Sequence, residues 1–181
     1  ARYQRNEISK EELDWAKCNA WPSYGACSFI GTASSMQIMA ESLGLALPGS
    51  ALMPSDSPDL LEYAKKAGER VVEMAYEDNM KPSDILTLKS FENAIMVHAA
   101  ISGSTNCLLH IPAIAHELGI ELDADTFDRL HRNAKYLLDI RPSGKWPAEV
   151  FYYAGGVPAI MEEIKEHLHL DVMTVTGKTL G

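Results

Sequence analysis

The sequence predicts a mainly α-helical fold with few short strands, and two observations carry this prediction. Apolar residues recur at helical spacing along most of the chain, with the clearest run from Leu60 to Ala75. Only residues 136–140, Tyr-Leu-Leu-Asp-Ile, have the composition of a strand. With 181 residues, of which 46% are hydrophobic, the chain can bury one core of ordinary size. We therefore expect a single domain over 1–181 with about seven or eight helices.

Start and stop signals place the first three helices. They are expected over residues 9–19, 32–43 and 57–75. Ser9-Lys10-Glu11-Glu12 is a capping box, and Trp21-Pro22 stops the first helix. Thr32 is expected to cap the second helix, and Ser57-Pro58 begins the third. The third is the clearest amphipathic helix of the chain.

The remaining elements follow the same kinds of signal. They are expected over residues 83–86, 87–101, 105–118 and 123–134, with two more helices after Trp146-Pro147 that are separated by Gly155-Gly156. The helix over 87–101 has an apolar face that includes Phe91, Ala94 and Ile95, and apolar residues over 96–100 fill its other faces, so it should be buried nearly all round. His98 within it is then expected to be a hydrogen-bonded core histidine.

Charge and cysteine usage exclude several classes of function. A formal net charge of −9 repels phosphate backbones and anionic membrane surfaces, so we expect no nucleic-acid or membrane partner. No apolar run reaches the roughly 20 residues that a membrane span needs. Three cysteines without a Cys-x-x-Cys pair predict reduced thiols, and we expect a cytoplasmic protein.

A glycine-punctuated loop with one cysteine precedes the second helix and is the first candidate site. The stretch over 23–36 places Cys27 between Gly25 and Gly31, just ahead of a helix N-terminus. Unpaired N–H groups and the helix dipole there favour a thiolate, as a metal-ligating or reactive cysteine requires. The alternative is that Cys27 is a buried packing residue without chemistry. Spacing alone leaves both open.

The run Ser102-Gly103-Ser104-Thr105-Asn106 is the second candidate site. Its serine, threonine and asparagine side chains can donate and accept hydrogen bonds, so the turn could bind an oxyanion. The same residue types are the ordinary caps of a following helix, and this alternative also stays open. Cys18 lies nine residues from Cys27, which is no standard ligand spacing, so we expect it to pack or to be exposed and not to be a second ligand.

Several segments together resemble one enzyme family, the dihydroxy-acid and sugar-acid dehydratases. The similar segments lie, in the family's order, at residues 27–36 with 40–49, 82–87 with 91–94, 103–106, 154–159 and 174–179. The resemblance covers most of the chain from Glu7 onward. It implies that this mainly helical segment is part of a larger α/β domain. It also implies that the chain is an internal fragment of the family's N-terminal cluster-binding domain.

The resemblance also implies a chemistry and a set of site residues. The family are hydro-lyases that convert a 2,3-dihydroxy carboxylate to a 2-keto-3-deoxy acid with a [2Fe–2S] cluster and Mg²⁺. Cys27 would be the third cluster cysteine, and Thr32, Ser104, Thr105 and Asn106 would lie near the substrate. The catalytic base and the magnesium ligands have no matching position here. Ser102 stands where the family usually has glycine.

The resemblance leads to further expectations about substrate and assembly. The small residues over 31–36 favour a sugar acid (an aldonate) as the small-molecule substrate, with the dihydroxy-acid dehydratase of branched-chain amino acid biosynthesis as the alternative. We expect the parent enzyme to be a homo-oligomer and this segment alone to hold no cluster and no activity. Outside the enzyme class, the rival hypothesis is a helical interaction or assembly module. Upstream Cys-Asn and Cys-Asp-Lys segments in the full reading frame would favour the dehydratase.

Overall fold

A computed structural model describes residues 1–20 and 27–181, and these residues confirm the mainly α-helical fold. Their α-helices are α1 (Lys10–Asn19), α2 (Thr32–Ser42), α3 (Asp59–Tyr76), α4 (Pro82–Ile85), α5 (Leu88–Ala100), α6 (Cys107–Glu117), α7 (Ala124–His131), α8 (Ala148–Tyr153) and α9 (Gly156–Glu163). Two short 3-10 helices lie at Tyr3–Arg5 and Lys165–His167. Strand geometry in these ranges is limited to two isolated bridges.

The predicted helix starts are confirmed where a side chain caps the helix. The Ser9 hydroxyl accepts a hydrogen bond from the Glu12 amide at 3.1 Å, and the Glu12 carboxylate accepts one from the Ser9 amide at 2.7 Å. Asp123 accepts from the Thr126 amide at 2.8 Å and so caps α7. The predicted breaker Trp21-Pro22 lies outside the described residues.

The strand expected over 136–140 does not form, and this prediction was wrong. Only Ile140 makes a bridge, to Trp146. The chain turns back at 141–145, where the Arg141 amide donates to the Trp146 carbonyl at 2.8 Å. Ile140 is buried in the helical core at 6% exposure. Ile140 and the partly buried Leu138 therefore pack against the helical core and do not pair along a sheet, whereas Tyr136 and Leu137 are exposed.

Helix α5 is the centre of the core, which confirms the burial predicted for it from the sequence. It contacts α2, α7 and α9, while α2 also contacts α6 and α9. Phe91 and Ile95 are fully buried on one face of α5, and Val97 is fully buried on another. This packing matters for function because it brings the N-terminus of α2 next to the turn that follows α5.

The amphipathic helix α3 lies at the periphery. It forms over the predicted residues, yet none of its side chains is fully buried. Its apolar stripe faces a groove that is also lined by Leu45, Met53 and Val175. The half-buried side chain of Arg70 ties α3 to the C-terminal turn through the Val175 carbonyl. No helix among the described residues is long and apolar enough to cross a membrane.

Candidate functional site

The segment around Cys27 is fixed from one side by backbone hydrogen bonds. The Ser28 carbonyl accepts from the Ala148 amide at 2.9 Å, and the Ile30 amide donates to the Arg141 carbonyl at 2.7 Å. Cys27 itself is half-buried. The remainder of the predicted loop, 23–26 with Gly25, lies outside the described residues. A half-buried thiol is more accessible than the fully buried packing cysteine of the alternative hypothesis, and the ligand role stays a prediction.

Thr32 does not cap α2, contrary to the sequence prediction. The N-cap residue is Gly31, in an extended conformation, and α2 begins at Thr32 without a side-chain cap. The hydroxyl of Thr32 points across to the turn after α5. It accepts a hydrogen bond from the Asn106 side-chain amide at 2.6 Å and lies 3.3 Å from the Ser104 hydroxyl. The position of Thr32 just before a helix predicted a cap, because its actual partner, Asn106, is 74 residues away and gives no local signal.

The turn at 102–106 is held on both of its sides. The Ser104 amide donates to the hydroxyl of Ser35 on α2 at 2.8 Å, and the Ser104 carbonyl lies 3.0 Å from Nε2 of His98 on α5. The Asn106 amide donates to the Ser104 hydroxyl at 3.3 Å. The structure therefore brings together three of the four predicted substrate-proximal residues, and we call Thr32, Ser104 and Asn106 the hydroxyl–amide cluster. Thr105 lies beside this cluster and is exposed.

The backbone at Ser102 explains why glycine suits this position. Ser102 has φ of 51°, in the left-handed region that side chains with a Cβ disfavour. The Gly103 amide donates to the His98 carbonyl at 2.9 Å, which closes the end of α5. The turn therefore forces Ser102 into the left-handed conformation, and the serine adds strain that a glycine would not.

We expect Ser102→Gly to raise the free energy of unfolding by about 0.5–1 kcal/mol, because it relieves the left-handed strain. Urea unfolding followed by circular dichroism measures the change. Ser143→Gly is the matched control, since Ser143 is an exposed loop serine without a left-handed φ. A loss of stability in Ser102→Gly equal to that of the control would contradict the strain argument.

His98 is a hydrogen-bonded core histidine, as predicted, but its partner was missed. Nδ1 of His98 lies 3.2 Å from Nε2 of His131, the last residue of α7. Burial lowers the pKa of His98, and burial together with the nearby His98 ring lowers the pKa of His131. The sequence around each histidine does not indicate this pairing, because the two residues are 33 positions apart.

The described part of the chain does not offer a complete metal site. Cys18 is exposed and Cys107 is buried, and burial raises the pKa of the Cys107 thiol to about 11. The Cys107 sulfur lies 3.7 Å from the Met36 sulfur, in an apolar setting that suits packing. Residues 1–20 and 27–181 contain no group of three or more His, Cys, Asp or Glu side chains placed to hold a metal ion. These residues alone therefore do not form a site with three cysteine ligands for an iron–sulfur cluster. Cys27 can supply one of the three ligands.

Comparison with known proteins shows the class of protein to which this helical domain belongs. The family model for the dihydroxy-acid/6-phosphogluconate dehydratase N-terminal domain matches residues 1–181, and the chain belongs to this family.

Curated relatives agree with this family. The chain is 45% identical over 181 residues to a dihydroxy-acid dehydratase of Caldicellulosiruptor bescii, covering 99% of this chain and 33% of the relative. A dihydroxy-acid dehydratase of Solidesulfovibrio magneticus is 43% identical over 182 residues, with 99% and 32% covered. Dihydroxy-acid dehydratase 1 of Methanosarcina acetivorans is 44% identical over 179 residues, with 99% and 32% covered. The chain thus spans about a third of the length of these relatives.

Proposed function

We propose that the protein containing this chain is a hydro-lyase that removes water from a 2,3-dihydroxy carboxylate and gives a 2-keto acid. The observation that carries the proposal is the family match over residues 1–181. Relatives named dihydroxy-acid dehydratase at 45% and 44% identity support it. The rival hypothesis of a helical interaction module has no comparable support.

The hydroxyl–amide cluster is suited to binding a substrate and not to moving its protons. Thr32 and Ser104 are half-buried and Asn106 is exposed, so a small molecule can reach all three. Hydroxyl and amide groups donate and accept hydrogen bonds but do not ionise near neutral pH. We therefore assign the cluster, with Thr105 beside it, to orienting the substrate's hydroxyl or carboxylate groups. Orientation of this kind lowers the entropic part of the barrier.

The proton transfers of the elimination need groups that the cluster lacks. The titratable side chain that touches the cluster's turn is His98, and hydrogen-bonding partners lie within reach of both its ring nitrogens. We infer that the base for the C2 proton and the ligands of Mg²⁺ come from outside residues 1–20 and 27–181. Cys27 is proposed as one thiolate ligand of a [2Fe–2S] cluster. When bound, such a cluster would supply a Lewis acid for the leaving hydroxyl.

A branched-chain dihydroxy acid is the better supported substrate, because the relatives named here are dihydroxy-acid dehydratases. The sugar-acid prediction from the small residues over 31–36 is kept as the second candidate, since the family description includes 6-phosphogluconate dehydratase. Three neutral hydrogen-bonding side chains in the cluster suit either substrate.

An anaerobic assay of the full-length protein tests this proposal. The purified enzyme, reconstituted with iron, sulfide and Mg²⁺, is given a branched-chain 2,3-dihydroxy acid or gluconate, and the 2-keto product is measured. We expect turnover of the dihydroxy acid to exceed that of gluconate. Faster turnover of gluconate would favour the sugar-acid alternative. If the enzyme binds the iron–sulfur cluster but forms no keto acid from either substrate, the dehydratase proposal is refuted.

A further inference from the structure

Two histidines from different helices meet beside the turn that carries the hydroxyl–amide cluster. His98, on α5, is 5% exposed, and His131 ends α7. Their rings are nearly parallel, with centroids 5.2 Å apart and an interplanar angle of 16°. One nitrogen of His98 faces His131 at 3.2 Å and the other faces the Ser104 carbonyl at 3.0 Å. The His98 ring therefore links α7 to the turn.

The partners of His98 determine which of its nitrogens carries the proton. A carbonyl oxygen only accepts hydrogen bonds, so Nε2 of His98 must donate to Ser104. In a neutral ring Nδ1 is then the acceptor, and Nε2 of His131 donates to it. Burial lowers the pKa of both histidines, which agrees with a neutral pair. Both ring nitrogens of His98 therefore have a hydrogen-bond partner, with Nε2 as the donor and Nδ1 as the acceptor.

The His98 ring also sets the position of the turn by contact. A Cβ added at Gly103 would lie 2.5 Å from Cδ2 of His98, closer than side-chain carbons approach. Ser104 is held at its carbonyl by His98 and at its amide by Ser35. With both backbone groups fixed, the Ser104 hydroxyl lies 3.3 Å from that of Thr32. The placement of the hydroxyl–amide cluster thus depends on the ring of His98, which is not itself a member of the cluster.

We propose that His98 is a positioning residue for Thr32, Ser104 and Asn106, and that His131 holds His98 in place through Nδ1. The structural part of this inference, that His98 and His131 position the turn, does not depend on whether the protein has dehydratase activity. Its consequence for catalysis rests on the function proposed above, and separate measurements test the two parts.

Nuclear magnetic resonance of the 181-residue chain tests the structural part. In the wild-type chain, ¹⁵N shifts should show the proton of neutral His98 on Nε2. His98→Leu removes the donor and should shift the amide signals of Ser104 and Asn106, whereas His98→Gln, whose side-chain amide can donate to the same carbonyl, should restore them. His116→Leu, at an exposed histidine of α6, is the matched control and should leave these signals unchanged.

A second variant covers the case in which His98→Leu does not fold. His131→Phe keeps an aromatic ring beside His98 but removes the donor to Nδ1, so it should shift the Ser104 and Asn106 amide signals in the same direction by a smaller amount. A proton found on Nδ1 of wild-type His98 would overturn the proposal. So would unchanged Ser104 and Asn106 signals in His98→Leu, or in His131→Phe if the leucine variant is unfolded.

Kinetics of the full-length protein test the catalytic part. His98→Leu should lower kcat by about 10- to 100-fold with a smaller change in KM, as expected for a misplaced binding group, and His98→Gln should recover most of kcat. An unchanged kcat in His98→Leu would overturn the catalytic consequence. If the wild-type protein itself has no dehydratase activity, the proposed function fails, while the resonance measurements still decide the positioning role.

Discussion

Cys27→Ser in the full-length protein is expected to remove the proposed iron–sulfur cluster and to lower activity by at least about 100-fold, because a hydroxyl would replace a soft thiolate ligand poorly. Iron per protomer and visible absorbance should both fall with the activity. The fold should survive, since Cys27 is only half-buried and serine is similar in size. Thermal unfolding, measured on the same samples, checks this.

The same experiment includes a control variant, Cys18→Ser, and it also tests the alternative hypothesis that Cys27 is only a packing residue. Cys18→Ser changes an exposed cysteine and should leave iron content and activity unchanged. If Cys27 only packs, Cys27→Ser would lose about 1–3 kcal/mol of stability from its hydroxyl, yet the folded protein would keep its iron and its turnover. Full iron and full activity in Cys27→Ser would remove Cys27 from the proposed site.

Glu41→Leu is expected to lower the free energy of unfolding by about 2–4 kcal/mol, because it leaves two backbone donors without an acceptor. The Glu41 carboxylate is 6% exposed and accepts from the Gly49 amide at 2.6 Å and the Ala51 amide at 2.8 Å. Burial raises the pKa of this carboxyl group, and the hydrogen bonds from Gly49 and Ala51 oppose that shift. The carboxylate thus holds the loop after α2 against the helix.

Chemical denaturation of three variants measures this effect. Glu41→Gln keeps one acceptor oxygen and should lose less stability than Glu41→Leu. Glu163→Leu makes the same change at an exposed glutamate on α9 and should alter stability by less than about 0.5 kcal/mol. Equal losses in Glu41→Leu and Glu163→Leu would show that the loop does not depend on the buried carboxylate.

Local signals in the sequence determined most of the helices. The capping box at Ser9 and the cap at Asp123 act within one turn, so their geometry is independent of the rest of the fold. The apolar residues on several faces of α5 likewise predicted its burial, and the helix is the centre of the core. Residues 136–140 misled because β-propensity reports fit to a half-buried surface, and helices supply that surface here.

The sequence by itself determined which residues could form a site, through the resemblance of segments around Cys27, Ser104 and Asn106 to one dehydratase family. Only the tertiary structure decided how they meet, because the contacts that assemble the cluster join residues about 70 positions apart. Helical periodicity and caps are set by neighbours within a few residues. The Thr32 hydroxyl and the His98–His131 pair instead depend on how α2, α5 and α7 pack, and no local pattern encodes that packing.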